Sequence, residues 1–243
     1  MHSSATILAM LQNMRSSPRW QCNYLKDMMV QSGDSDESGD VTTSTPIMLH
    51  LVMTAETCES VEDCDAFIEL LTRMTSVAIN NNKTNKRVMQ HCLVLAQNNM
   101  NRFSAWKLVH MIAYSEMGRR VIRENGRVMD MIISTLGYPY LRFFAQAVKI
   151  LTQFTGDTAH EDMFTPKRIH LLCNACVTST IASDVELCLR LLANLVPLVK
   201  PKSMSMTLMH LTAETQYHRF GLDSCRDAAL HLRLVTGEKR ENE

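Results

Sequence analysis

Residues 101–156 read NRFSAWKLVHMIAYSEMGRRVIRENGRVMDMIISTLGYPYLRFFAQAVKILTQFTG. The stretch opens on one apolar run of helical periodicity and closes on a second like it. Between them lie a short amphipathic piece, Gly126, another apolar run and a Gly-Tyr-Pro break. The same core pattern, a leucine followed three residues later by an apolar residue, recurs at Leu71/Met74, Leu108/Met111, Leu151/Phe154, Leu192/Leu195 and Leu232/Val235. The leucines are spaced by 37, 43, 41 and 40 residues. A drifting period near 40 with helical spacing inside each unit predicts a helical solenoid, in which each unit buries its apolar face only by stacking on the next.

Composition points the same way. The chain has 243 residues, 46% hydrophobic and 21% charged, enough to bury a sizeable core. Eight Gly and six Pro are too few for a many-stranded β fold with frequent tight turns. Eighteen Met suit helical interiors, where an unbranched thioether fills irregular gaps. The expected class is all-α.

Twenty-five basic side chains balance 25 acidic ones. Phosphate contacts supply most of the affinity of a nucleic-acid binder, so a dedicated one carries a basic excess, and nucleic acid is not the expected main ligand. No stretch approaches ~18 uninterrupted apolar residues, which argues against a membrane span, and the N-terminal run lacks a basic leader and cleavage site. Eight cysteines in such a chain read as free buried thiols in a reducing compartment, hence an intracellular protein, cytoplasmic or nuclear.

Residues 1–30 are expected to form two short helices, broken near Pro18, that cap the end of the stack. Residues 31–46, QSGDSDESGDVTTSTP, read as a flexible acidic loop, with Ser35 and Ser38 beside Asp36, Glu37 and Asp40 in a setting that suits acidophilic kinases. Residues 47–236 form the repeat domain and 237–243 a frayed tail. Within it, Glu62 and Asp63 open a long helix at its positive dipole end. Gly126 is expected to supply a positive φ between two helices, and Pro139 to start a helix running to 155.

The segment SAWKLVHMIAYSEMGRRVIRENGRVMDMIIST resembles an armadillo repeat of the importin-α and β-catenin type: alanine and tryptophan on a long third helix, then a basic Val-Ile pair, a glycine and an apolar second helix. The resemblance covers roughly residues 62–236. It implies an armadillo-like α-solenoid, a right-handed superhelix of about four three-helix repeats with an N-terminal helical cap. In that family the third helices line a concave groove that binds peptides.

Aligning the five leucines places Arg73, His110, Gln153, Asn194 and Leu234 two residues after them, and Glu69, Trp106, Lys149, Arg190 and Leu230 two before. The two columns lie four residues apart, on one helical face. Importin-α-like members carry tryptophan and asparagine there. Here Trp106 matches the tryptophan column and Asn194 the asparagine column, while Lys149 and Arg190 put charge where aromatic rings would stand. The expected peptide-binding set is Arg73, Trp106, His110, Lys149, Gln153, Arg190 and Asn194, and the expected partner is a protein segment with acidic and apolar residues. The bland alternative makes Trp106 a packing residue.

A second feature is the basic group Arg119, Arg120, Arg123 and Arg127, which Arg142, Lys167 and Arg168 could extend. It reads either as a solvated face paired with Glu116 and Glu124 or as a dock for acidic protein. The alternative function is accordingly a nucleic-acid-associated or obligate structural subunit of a larger complex that uses this edge.

Other chemistry finds little footing. His170, Cys173 and Cys176 share one helical stretch, but a tetrahedral zinc site needs a further pair at characteristic spacing, and Cys58 and Cys64 do not provide it. There is no glycine cluster to cradle phosphate. No catalytic residue, metal or cofactor is expected, and the reading is a non-enzymatic adaptor or scaffold.

Overall fold

The computed structural model describes residues 3–13, 18–31, 44–155, 163–200, 203–219 and 223–241. Among them the regular structure is helical throughout, in thirteen α-helices and one 3-10 turn. The chain divides into two compact units, Met1–Val128 and Met129–Glu243.

In the first unit the helices are α1 (Ser4–Asn13), α2 (Pro18–Gln31), α3 (Thr45–Glu56), α4 (Val61–Asn80), α5 (Lys86–Asn98), α6 (Phe103–Ala113) and α7 (Glu116–Glu124). The boundary falls inside α8 (Gly126–Thr135). The second unit continues with α9 (Phe144–Thr152), α10 (Pro166–Thr178), α11 (Ala182–Leu195), the 3-10 turn Val196–Leu198, α12 (Met204–Arg219) and α13 (Asp223–Glu241).

Local chemistry sets where these helices begin. Ser60 caps α4, its hydroxyl accepting from the Asp63 amide at 3.3 Å. Asn85 caps α5 by accepting from Arg87 and Val88, and Ser115 and Thr165 cap α7 and α10 in the same way. Each cap satisfies at least one of the amides left without a partner at a helix start, and Asn85 satisfies two. Pro46 and Pro166 sit in first turns, where a missing N–H costs nothing.

Apart from α8, each helix packs mainly on its sequence neighbour or on the helix two places along. In the first unit α1, α3, α5 and α7 follow one another in one row, and α2, α4 and α6 in a second row laid against it. In the second unit α9, α11 and α13 form one row, with α10 and α12 against it. All five leucines of the sequence alignment lie in the rows α4–α6 and α9–α11–α13, and all are at most 1% exposed. The residue three positions on is buried at Met74, Phe154 and Leu195 and half-buried at Met111 and Val235. Each such leucine contributes about 1.5–3 kcal/mol of burial.

The α6–α7 corner is tight: a Cβ on Gly118 would overlap the Ile112 backbone carbonyl, so only glycine lets α7 approach α6 this closely.

Four local expectations are corrected. Gly126 does not take a positive φ; it is the first residue of α8, and Asn125 caps that helix by accepting from the Val128 amide at 3.1 Å. The left-handed position belongs to Asn82, at φ 52°, in the polar run after α4. There the Lys83 amide donates to the Ala78 carbonyl at 2.8 Å and the Asn82 amide to that of Ile79 at 3.1 Å, a paired closure of the helix end that asparagine tolerates better than branched residues do.

Pro139 does not start a helix: residues 136–143 are a series of turns, and α9 begins only at Phe144. Tyr138, Tyr140 and Leu141 stay exposed there, so no buried face rewards helix formation before Phe144. The chain from 237 to 241 is not a frayed tail but the end of α13, since Lys, Arg and Glu are good helix formers that propagate a helix already anchored by Leu232. The acidic stretch is shorter than 31–46, because Gln31 closes α2 and Thr45 opens α3. Ser35, Ser38 and their acidic neighbours lie outside the described residues.

Candidate functional site

Two residues along a helix are about 200° of rotation, so positions two before and two after a buried leucine emerge on the opposite, solvent side. In the first unit Glu69 and Arg73 of α4 are exposed and His110 of α6 is half-buried. In the second unit Lys149 and Gln153, at the end of α9, are half-buried, and Arg190 and Asn194 of α11 are exposed. On α13 the two positions hold Leu230 and Leu234, both exposed.

Trp106 departs from the pattern and corrects the expectation that it offers a ring to a peptide. Its side chain is 2% exposed, and its indole N–H donates to the Met100 carbonyl at 2.7 Å. The loop between α5 and α6 supplies that acceptor. Two further bonds tie this loop and the start of α6 to α4. Arg102 Nη1 donates to the Val61 carbonyl at 3.1 Å, and Ser104 Oγ at the start of α6 donates to Asp65 Oδ1 at 2.5 Å. A ring buried this way is a packing residue whose one polar atom has found its partner.

The aromatic surface of α6 lies elsewhere. Phe103, Lys107, His110 and Tyr114 follow one another at steps of four, three and four. The Lys107 ammonium sits 5.1 Å from the centre of the Phe103 ring, and the His110 and Tyr114 rings are tilted against each other at 5.1 Å. Tyr114 is 50% exposed. Counting outward from Phe103 by helical steps would have found this stripe; the alignment on Leu108 passed over it because it sampled only two columns.

The charged members of the second unit are held by neighbours. Arg190 is bound by Glu186, one turn earlier, at 2.7 Å from Nη2 and 3.0 Å from Nε. Asn194 Nδ2 reaches Thr155 Oγ1 at 3.5 Å. The Asp184 carboxyl is buried, and burial raises it above the usual carboxylate range while the nearby Lys149 ammonium opposes that shift.

The basic group on α7 is not uniform. Arg119 is half-buried, and its Nη1 donates to the carbonyls of Ala113 and Tyr114 at 3.2 and 3.4 Å, closing the C-terminal end of α6. It therefore serves the α6–α7 corner rather than an open surface. Arg120 pairs with Glu116 at 3.2 Å. Glu124 pairs with Lys86 of α5, at 3.0 Å. Arg123 and Arg127 are exposed. In the second unit the Arg142 guanidinium lies 5.6 Å from the Phe143 ring, and Arg168 donates to the Met163 carbonyl at 2.7 Å.

Cys173 and Cys176 lie on the buried side of α10, and burial pushes the Cys173 thiol up to about 11 and Cys176 well above the ordinary thiol range. His170 lies 3.4 Å from Ser205 Oγ. Among the described residues no three His, Cys, Asp or Glu side chains are grouped to hold a metal ion, and no helix is long and apolar enough to cross a membrane.

Compared with protein-family models, curated proteins and solved structures, the chain gives no match.

Proposed function

We propose that the chain is an armadillo-like α-solenoid that works as a non-enzymatic adaptor, binding a segment of a partner protein along the solvent side of its leucine-bearing helices. The observation that carries the reading is the repeated pairing of a buried leucine with hydrogen-bonding side chains on the far side of the same helix. Arg73 and His110 stand there in the first unit, and Lys149, Gln153, Arg190 and Asn194 in the second. The packing order supports it, since a chain whose helices pack one and two places along is organised as repeats are. Amides, an imidazole and cations over rigid helices can hold an extended backbone and its acidic side chains with little ordering cost.

The partner's aromatic or apolar anchors would meet Tyr114 and Phe103 in the first unit and Leu230 and Leu234 in the second, in place of the buried Trp106. Tyrosine and arginine are among the residues most often found carrying binding energy.

The test is recovery of partners on the wild-type chain beside two surface variants, Arg73→Glu/His110→Ala and Arg190→Glu/Asn194→Ala. A partner retained by the wild type and lost from either variant supports the reading; equal recovery on all three chains rejects it. Small-angle scattering tests the architecture separately: a stack of repeats has a radius of gyration above the about 18 Å of a globular chain of this length.

A further inference from the structure

Threonines inside the helices of this chain share a hydrogen-bonding pattern. Thr54, Thr72, Thr135, Thr152 and Thr212 each donate the hydroxyl to the carbonyl four residues back, at 2.7 to 2.9 Å. Thr75 of α4 does not. Its side chain is 2% exposed, and its Oγ1 has no hydrogen-bond partner among the described residues, although the Leu71 carbonyl stands one turn back. Buried polar atoms are nearly always paired, so this one calls for a partner of another kind. Thr75 lines a cavity of about 10 Å³ in the first unit, where α3, α4 and the start of α5 meet. Met48 of α3 and Val88 and Met89 of α5 supply apolar wall, while Thr45, Thr84 and Asn85 add polar groups. Those walls are tied in place. The Lys83 amide donates to the Ala78 carbonyl at 2.8 Å, which draws the α4–α5 turn onto the last turn of α4. Asn85 Nδ2 donates to Thr45 Oγ1 at 3.4 Å, and Asn85 Oδ1 accepts from the Arg87 amide at 2.9 Å.

We infer that this cavity is the binding site of one structural water, hydrogen-bonded to Thr75 Oγ1 and joining α4 to the α4–α5 turn and the start of α3. The room matches, since a single water needs a cavity of about 10–15 Å³ with two to four polar partners. The partners match as well. A threonine hydroxyl carries one donor and two acceptor sites, and Thr75 and Thr84 both bring one to the lining. The Thr45 hydroxyl, which accepts from Asn85, keeps its proton to donate. A metal cation suits the site poorly, because no carboxylate is among the described lining residues and Lys83 is one of them. An apolar guest would leave the Thr75 hydroxyl without a partner. The inference does not depend on what the chain binds.

The test is a pair of substitutions in the full chain, Thr75→Val and, on the same helix, Thr72→Val. Valine keeps the shape of threonine and removes the hydroxyl. With the water in place, Thr75→Val strips it of a partner and lowers the melting temperature by about 2–4 °C, the shift that one net hydrogen bond gives a chain of this length. Thr72→Val lowers it by less, because the Ile68 carbonyl that Thr72 engages keeps its backbone amide. A hydroxyl buried with no partner predicts the opposite sign, since valine then relieves a penalty and the melting temperature rises. A crystal structure of the wild-type chain that resolves ordered solvent gives the second readout. It shows one water within about 3.0 Å of Thr75 Oγ1. A melting temperature that rises or stays level in Thr75→Val overturns the proposal. So does a Thr75 hydroxyl turned to the Leu71 carbonyl, or a crystal structure with no water at Thr75.

Discussion

Trp106 was singled out from its neighbours in the sequence, and its neighbours in space changed its meaning. A tryptophan two residues before a core leucine stands on the solvent side of its own helix, so its burial has to come from another segment, and its indole N–H is taken up by Met100 in the loop before α6. Trp106→Ala therefore lowers stability by about 3–5 kcal/mol, read in chemical denaturation, as expected for a large buried ring. Trp106→Phe removes the blue-shifted, quencher-protected part of the fluorescence and leaves the red-shifted part from Trp20, which is 49% exposed. A well-folded Trp106→Phe chain that lost its partners would return the ring to the binding surface. Arg119 teaches the same lesson with charge: its place among four arginines suggested a surface patch, and its hydrogen bonds to the end of α6 make it a helix-closing residue.

Helix register was readable in advance because it depends on spacing alone. Every leucine of the alignment is buried, although the five lie in helices of different lengths with different caps. On α13 this becomes a sharp contrast, since Leu232 is fully buried and Leu234 is 54% exposed. Leu232→Ala costs about 2–5 kcal/mol, whereas Leu234→Ala stays within about 0.5 kcal/mol. Denaturation of the two variants side by side checks this, and equal losses would mean that the register of α13 is wrong. Helix ends were less legible. Gly126 and Pro139 carry strong local signals, yet a capping asparagine made the first a helix start and exposed tyrosines left the second in a turn.

Over the whole chain, the eight cysteines are unpaired thiols, seven buried and Cys58 half-buried. Burial in apolar surroundings disfavours the thiolate, raising Cys58 and Cys173 to about 11 and Cys92 to about 12. At neutral pH a thiol reagent accordingly labels Cys58 first and slowly, and the remaining seven only as the chain unfolds. Peptide mapping of the labelled protein reads the order, and fast labelling of Cys173 or Cys176 would contradict the packing of α10. The all-helical class was visible in composition and period, because both report how much apolar surface there is and how it repeats. Which polar residues share a surface was only partly visible, since spacing fixes a face within one helix but not what a neighbouring loop lays over it.

By itself the amino-acid sequence determined the helical class, the leucine register and the positions that turn away from the core, all of which follow from local periodicity. The tertiary structure alone decided that Trp106 is covered, that Arg119 closes a helix, and that Lys86 pairs with Glu124 and Gln97 with Asn125. Those outcomes depend on which segments distant in the chain are brought together, and helical spacing carries no information about that.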